Sequence, residues 1–195
     1  MAASARGGQG PLQARAARER DLHVTELRGY RFFAGRGPRP SAAAMPAPLR
    51  YWQYEAPART AVLFVVVVVA VWLGAFAWLG GPSDLRSEAP LGLGLGVLIL
   101  LLNIRRFTVS AHGLSIDVAG TRTAVSEVIP LVLVQEVRVG DRSPDWPPVT
   151  RRGGRWPGRT LVAVRHLDDA GDTERVFTHR VRDPEAFAAA LGREL

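Results

Sequence analysis

The chain has no cysteine and no lysine among its 195 residues. Without cysteine it can form no disulfide, no thiolate nucleophile and no cysteine-based zinc site. Without lysine, all 25 basic residues are arginine. Alanine, glycine and proline are also abundant, and codon usage in a GC-rich genome explains both features. The arginine content alone therefore indicates no special role for the guanidinium group.

Motifs that carry catalysis or bind cofactors are also missing. Neither Ser126 nor Ser143 lies in a GxSxG context. The glycines of the GLGLG segment alternate with leucine inside an apolar run, whereas a dinucleotide site needs a strand, a glycine-rich turn and then a helix. We therefore predict no catalytic residue, no cofactor and no enzymatic activity.

The histidines give no metal-binding motif. No two of them have HxxxH or HExxH spacing; they are His23, His112, His166 and His179. His166 and His179 lie on neighbouring predicted strands, where they could approach each other and form a metal site. Solvated strand ends are the favoured interpretation, so no metal site is predicted.

What the chain does have is a long apolar run. Thr60 to Leu79 contains twenty residues without a charge. At about 1.5 Å of rise per residue, a helix of this length is about 30 Å long, which matches the hydrocarbon core of a bilayer. The run predicts a membrane-spanning helix.

A second apolar run extends from Ala89 to Ile104 and is followed by Arg105 and Arg106. Its sixteen charge-free residues are slightly short for a span, and a core helix is the alternative. Its position beside the first run favours a second span, with the polar segment 80–88 as a tight turn. The two spans then form an antiparallel helical hairpin over residues 50–106.

The distribution of arginine sets the expected orientation. Many arginines precede the first span and two follow the second, whereas the loop between the spans has only Arg86. The positive-inside rule then places both termini in the cytoplasm and the short loop outside. Tyr51, Trp52 and Tyr54 precede the first span and are typical of the headgroup level. We expect a multi-pass protein of the cell (inner) membrane, with the lipid bilayer as its first partner.

Residues 1–49 are expected to be a flexible, arginine-rich tail. Their Arg, Gly, Ala and Pro content shows little apolar periodicity, and such a segment buries too little surface to offset chain entropy. Met45 opens a segment typical of the start of a membrane protein. One hypothesis is therefore that translation begins at Met45 and that residues 1–44 are not translated.

Residues 107–195 predict a mostly β, α+β domain with a terminal helix over 184–195. Short alternating runs separated by Gly, Asp and Pro indicate several strands, including a hairpin around Gly113. Asp183 and Pro184 are typical of a helix start. Phe187, Leu191 and Leu195 recur every four residues and give this helix an apolar face.

Two spans followed by FTVSAHGLSIDV, an IPL…VQEVRV segment and a closing THRVRDPEAFAAAL resemble small bacterial membrane proteins with a pleckstrin-homology-like domain. Many of these proteins are actinobacterial and uncharacterised. The resemblance covers about residues 50–195. It implies a strongly bent sheet or barrel of about seven strands closed by a C-terminal helix. It also implies a membrane-anchored binding module, and it supplies no active-site residues.

The loop from Asp141 to Arg159 is the strongest candidate for binding. It combines basic and aromatic residues: Arg142, Trp146, Arg151, Arg152, Arg155, Trp156 and Arg159. Arginine gains about 1 kcal/mol each near an anionic membrane, and tryptophan favours the interface. Anionic lipid headgroups or a membrane protein partner are the expected targets, and a solvated loop is the alternative. RNA could be bound by the same residue types, but the neighbouring bilayer disfavours it and no nucleic acid is expected.

Small residues recur at four-residue spacing in both spans. They are Ala70 and Gly74 in the first span and Gly92 and Gly96 in the second. Such spacing lets helices approach closely. Packing of the two spans against each other is the favoured interpretation, and a homo-oligomer is the alternative. The sequence as a whole predicts a non-enzymatic binding or scaffolding module at the membrane. The alternative function is an accessory subunit that stabilises a transporter or an envelope enzyme.

Overall fold

The computed structural model describes residues 10–32, 37–41, 49–118, 125–141, 143–152, 158–169 and 171–195. In these ranges the chain forms four α-helices and ten strands. The helices are α1 (Pro11–Arg28), α2 (Arg59–Leu79), α3 (Gly81–Leu102) and α4 (Pro184–Ala190). The fold class is α+β, as predicted, and the sheets do not close into a barrel.

The strands form two four-stranded sheets and one small ladder. The first sheet is antiparallel in the order β3 (Tyr51–Glu55), β4 (Arg105–Val109), β5 (Gly113–Val118) and β6 (Val125–Pro130). The second sheet has the order β7 (Val134–Val139), β9 (Thr160–Leu167), β10 (Glu174–Val181) and β8 (Val149–Arg151). β8 pairs with β10 in parallel. β1 (Tyr30–Arg31) and β2 (Arg39–Pro40) form the ladder.

The core lies between the two sheets and is closed by α4. Phe187 of this helix packs against Phe107 with a ring separation of 5.5 Å, and both are fully buried. The Asp183 side chain accepts a hydrogen bond from the backbone N–H of Ala186 at 2.9 Å, as expected of an N-cap. The helix ends at Ala190, so the predicted end at residue 195 is wrong, and Leu195 is half exposed.

The segment expected to be a flexible tail contains α1, an 18-residue helix. Its face of Ala16, His23 and Leu27 is buried, and the helix packs against β5, β6 and the 3-10 turn Leu131–Leu133. The prediction failed because this face binds strands that lie about a hundred residues further along the chain. A chain that began at Met45 would lack the helix. Met45 itself lies outside the described residues.

The two apolar segments form antiparallel helices that are long and apolar enough to cross a membrane. The turn between them is shorter than predicted. α3 begins at Gly81, whose φ of 77° favours glycine. The segment 82–88 is therefore the first part of a helix and not a polar turn.

The helical hairpin is an insertion between two paired strands. β3 ends at Glu55, four residues before α2, and β4 begins at Arg105, shortly after α3. Glu55 and Arg105 are direct neighbours in the antiparallel register. The first sheet therefore begins at Tyr51, before the first apolar helix, and not at residue 107. Tyr51 is buried against Phe187, so the aromatic segment is a strand of the folded domain.

Candidate functional site

Four of the seven predicted contact residues of the Arg/Trp loop lie in the described part of the chain. Arg142, Arg155 and Trp156 lie outside the described residues. The other four do not form one patch: they are Trp146, Arg151, Arg152 and Arg159. Three of these make contacts inside the domain, and lipid contact by the loop stays a prediction.

Trp146 is buried on the outer face of the second sheet. It packs with Ala163 and Val176, and two guanidinium groups lie near its ring. The carbon at the centre of the Arg138 guanidinium is 5.3 Å from the ring centre, and that of Arg165 is 5.5 Å away. Cation–π contacts of this kind hold the loop on the sheet. This tryptophan is therefore a structural anchor of the loop.

Arg152 connects the two sheets. Its guanidinium lies 2.5 Å from a carboxylate oxygen of Glu127 on β6 and 4.9 Å from the ring centre of Phe177 on β10. Its backbone N–H donates to the carbonyl of Thr178 at 2.9 Å, which extends the parallel pairing of β8. The neighbouring residue Arg151 is exposed, whereas Arg152 is partly buried. The two adjacent arginines therefore have different surroundings.

Arg159 ends the loop inside a buried polar cluster next to the helical hairpin. Its Nη1 lies 2.5 Å from Oε1 of Glu55, and its Nη2 donates to the Tyr54 carbonyl at 2.6 Å. Both partners belong to β3, and α2 begins at residue 59. Arg159 therefore fixes the start of β9 to the strand that leads into the hairpin.

Gln53 and His179 complete the cluster around Glu55. The Gln53 amide nitrogen donates to Glu55 Oε1 at 2.6 Å and to the Arg180 carbonyl at 2.8 Å. Nε2 of His179 lies 3.3 Å from the same Glu55 oxygen. The second oxygen, Oε2, is buried and has no hydrogen-bond partner among the described residues. The Glu55 side chain is only 1% exposed, so this carboxylate cannot reach a substrate in this conformation.

His166 and His179 do not approach each other. His166 is opposite Arg175 in the β9–β10 register, whereas His179 is opposite Val162. Four residues of strand separate them, which corresponds to about 13 Å. Among the described residues, no group of three or more His, Asp or Glu side chains could hold a metal ion.

His23 is a functional candidate that the sequence did not reveal. It is fully buried, with Nδ1 2.8 Å from the Ser110 hydroxyl and Nε2 2.9 Å from the Ser115 hydroxyl. Burial, with a smaller contribution from nearby His112, lowers the pKa of His23 to about 4. A neutral imidazole therefore joins α1 to the first sheet. No sequence pattern indicated this site, because the two serine hydroxyls lie about ninety residues away from the histidine in the chain.

The glycines of α3 face α2. An added Cβ at Gly92 would lie 3.0 Å from Trp72 Cδ1, and one at Gly96 would lie 2.9 Å from Val69 Cγ2. Gly74 has nothing within 4 Å of such an atom, and Ala70 is exposed. The α3 pair thus belongs to the seam between the helices, whereas the α2 pair lies on the outward face.

Comparison of the chain with protein families, with curated proteins and with solved structures finds no match.

Proposed function

We propose that this chain is an integral membrane protein whose cytoplasmic, pleckstrin-homology-like domain is a non-enzymatic binding or scaffolding module. One observation carries the proposal: the apolar hairpin connects β3 and β4, two neighbouring strands of the same sheet. Because Glu55 and Arg105 are opposite each other, both ends of the hairpin lie on the same side of the membrane. The domain is then tethered at two adjacent points and stays against the membrane surface.

The surface of the hairpin supports insertion into lipid. Its large apolar side chains are mostly exposed, including Phe64 at 62%, Val71 at 67% and Trp78 at 88%. A contiguous exposed apolar surface of this kind marks a membrane or a protein contact. Arg59, Arg105 and Arg106 flank the end that joins the sheet, whereas Arg86 is alone among arginines at the other end. This asymmetry favours a cytoplasmic domain.

The order of the strands supports a pleckstrin-homology-like domain. An antiparallel meander from β3 to β6 leads into a second sheet. The chain ends in α4, whose Phe187 and Leu191 belong to the core between the sheets. A C-terminal helix that closes the core is shared with the arrangement that the family resemblance implies. The two open four-stranded sheets, and the hairpin inserted between β3 and β4, differ from it.

The buried cluster around Glu55 is placed to hold the fold together and not to contact a substrate. The acid, base and cation that the fold brings together are Glu55, His179 and Arg159, and they are closed from solvent. A catalytic group must contact its substrate. These three side chains therefore hold β3, β9 and β10 together.

A membrane-extraction experiment tests the anchoring. The full-length protein should remain in the membrane pellet after alkaline carbonate extraction, and a reporter that is active only outside the membrane should be silent at the C-terminus. In the matched control, Asn-Gly replaces residues 56–104, so that β3 and β4 join in a tight hairpin. This control should be soluble. Full-length protein in the soluble fraction, or an active reporter, would contradict the proposal.

Binding to vesicles that contain phosphatidylglycerol tests the predicted lipid contact. The control protein without the hairpin is used, because its membrane binding depends on the domain surface alone. Substituting Arg151→Gln together with Arg155→Gln should weaken binding, since each arginine contributes about 1 kcal/mol near an anionic surface. Arg18→Gln, on the exposed side of α1, is the matched loss of charge elsewhere. Equal binding by all variants would remove the loop as the lipid contact.

An accessory subunit is the second candidate function. The specific observation is the outward face of α2, where Ala70 and Gly74 have no neighbouring helix in the described structure. Small residues at this spacing suit close contact with another span. In-cell cross-linking of the tagged protein, followed by mass spectrometry, distinguishes the candidates. One stoichiometric membrane partner indicates an accessory subunit, whereas self-cross-links indicate an oligomeric module.

A further inference from the structure

A cleft of about 810 Å³ lies between α1, β6 and the adjoining ends of β9 and β10. Its volume is within the range of small-molecule sites. Its described lining residues do not belong to the Arg/Trp loop, the Glu55 cluster or the hairpin seam. The cleft is therefore a separate feature of the domain, and α1 forms one complete wall of it.

The wall formed by α1 presents one charge of each sign that has no ion-pair partner among the described residues. Asp21, Val24, Thr25 and Arg28 line the cleft, and their spacing places them on a single face of the helix. Neither Asp21 nor Arg28 forms an ion pair with any other described residue. The remaining charges of the cleft are neutralised within the protein. The pairs are Arg20 with Asp169, Arg175 with Asp168, and Glu127 with Arg152.

The opposite side of the cleft offers an acceptor beside apolar groups. His166 lines it and is only 4% exposed. Its Nδ1 lies 2.7 Å from the carbonyl oxygen of Leu167 and donates to it, and burial lowers the pKa of the ring. Nε2 then carries the lone pair of a neutral imidazole and has no partner among the described residues. Ile129 and Leu133 add apolar surface.

We propose that this cleft binds a short peptide of about three residues with a free amino group and a free carboxylate. Asp21 and Arg28 are seven residues apart on one helix, or about 10.5 Å, and an extended tripeptide spans about 10 Å. Asp21 accepts hydrogen bonds from the ammonium group, and Arg28 donates to the carboxylate. His166 Nε2 accepts a peptide N–H, and the apolar surface takes the central side chain. This site goes beyond the membrane anchoring and does not depend on it.

Titration calorimetry of the full-length protein in detergent micelles, with Ala-Leu-Ala as the probe, tests the site. We expect a dissociation constant of about 100 µM, from the efficiency typical of ligands of this size. N-acetylation or C-amidation of the probe should each weaken binding about tenfold. Asp21→Asn should make binding insensitive to acetylation, and Arg28→Gln should make it insensitive to amidation.

The matched control is Arg18→Gln, which removes an exposed charge from the same helix without touching the cleft. It should bind the probe like the unmodified chain. Asp21 and Arg28 are both exposed, so their variants should unfold at the unmodified temperature. Absence of heat at millimolar peptide would overturn the proposal. Equal binding of the blocked and unblocked peptides would also overturn it. The same holds if the Asp21→Asn and Arg28→Gln variants still bind the acetylated and the amidated peptide more weakly than the unblocked one.

Discussion

The helical hairpin and the β domain bury their residues in opposite ways. Between α2 and α3 only Val65, Gly92 and Gly96 are buried, and the large apolar side chains point outward. In the domain, large apolar side chains fill the interior, and even charged groups such as Glu55 are buried. The helices approach closely because glycine has no side chain, whereas the domain is stabilised by packing of side chains from distant parts of the chain. The structure of the hairpin therefore depends mostly on residues that are near each other in the sequence, whereas the structure of the domain depends on residues that are far apart.

Removing α1 should cause the largest loss in the free energy of unfolding. Local sequence patterns did not predict this helix, although it packs against the domain. A chain that begins at Met45 loses the burial of Leu27 and Ala16 and both hydrogen bonds of His23. The expected loss is about 5 kcal/mol in the free energy of unfolding, measured by urea denaturation in micelles. A chain that lacks only residues 1–9 is the control. Equal denaturation midpoints for all three chains would show that α1 does not belong to the cooperative unit.

Breaking the Glu55 cluster should come next. Arg159→Gln leaves a buried carboxylate without its cation, and such a loss typically costs about 3–5 kcal/mol. Arg151→Gln, eight positions earlier in the same loop, removes an exposed arginine and should change the free energy of unfolding by less than about 0.5 kcal/mol. Urea denaturation of the two variants measures the contrast. Similar values would show that the contact of Arg159 with Glu55 does not stabilise the folded domain.

Replacing glycines with leucine tests which face of each helix forms the contact between α2 and α3. Gly92→Leu and Gly96→Leu place side chains against Trp72 and Val69, and overpacking of this kind costs about 1–3 kcal/mol. Gly74→Leu points into open space and should leave the helix pair intact. Thermal unfolding of the hairpin in micelles distinguishes them, and cross-linking reports any dimer. Loss of dimers in Gly74→Leu alone would assign the outward face to a homo-oligomer.

Acidification should give the smallest effect. An unfolded histidine titrates near pH 6.5, whereas His23 in the folded chain has a pKa of about 4. The unfolded state therefore binds more protons between these values, and stability falls as the pH falls. From pH 7.5 to 5.5 the loss from His23 is about 1 kcal/mol.

The variant His23→Gln removes this contribution and should show a shallower dependence on pH. His166, whose pKa is also lowered, remains in both chains, as do His112 and Glu26, which form a pair beside His23. The difference between the two pH profiles then isolates His23. Parallel profiles would show that its ring does not change protonation on unfolding.

The sequence predicted what depends on neighbouring residues. The charge-free run from Thr60 predicted α2, and Asp183 with Pro184 predicted the start of α4. It did not predict β3, because Tyr51–Glu55 is a strand only when β4 returns to pair with it. Nor did it distinguish Arg151 from Arg159, because burial of the second depends on Glu55, about a hundred residues earlier. The cleft needs α1 and the second sheet together, so no local pattern indicates it.

The position of the hairpin inside the first sheet has a consequence for synthesis. β3 leaves the ribosome about fifty residues before β4, so its pairing edge stays open until both apolar helices have been made. In the proposed orientation, β4 reaches β3 only after the chain has crossed the bilayer twice. A chain that inserted one helix would have β4 on the wrong side, and Gln53 and Glu55 would lie on an unpaired strand. In that orientation the first sheet can be completed only after both apolar helices have inserted, so folding of the domain would report correct insertion.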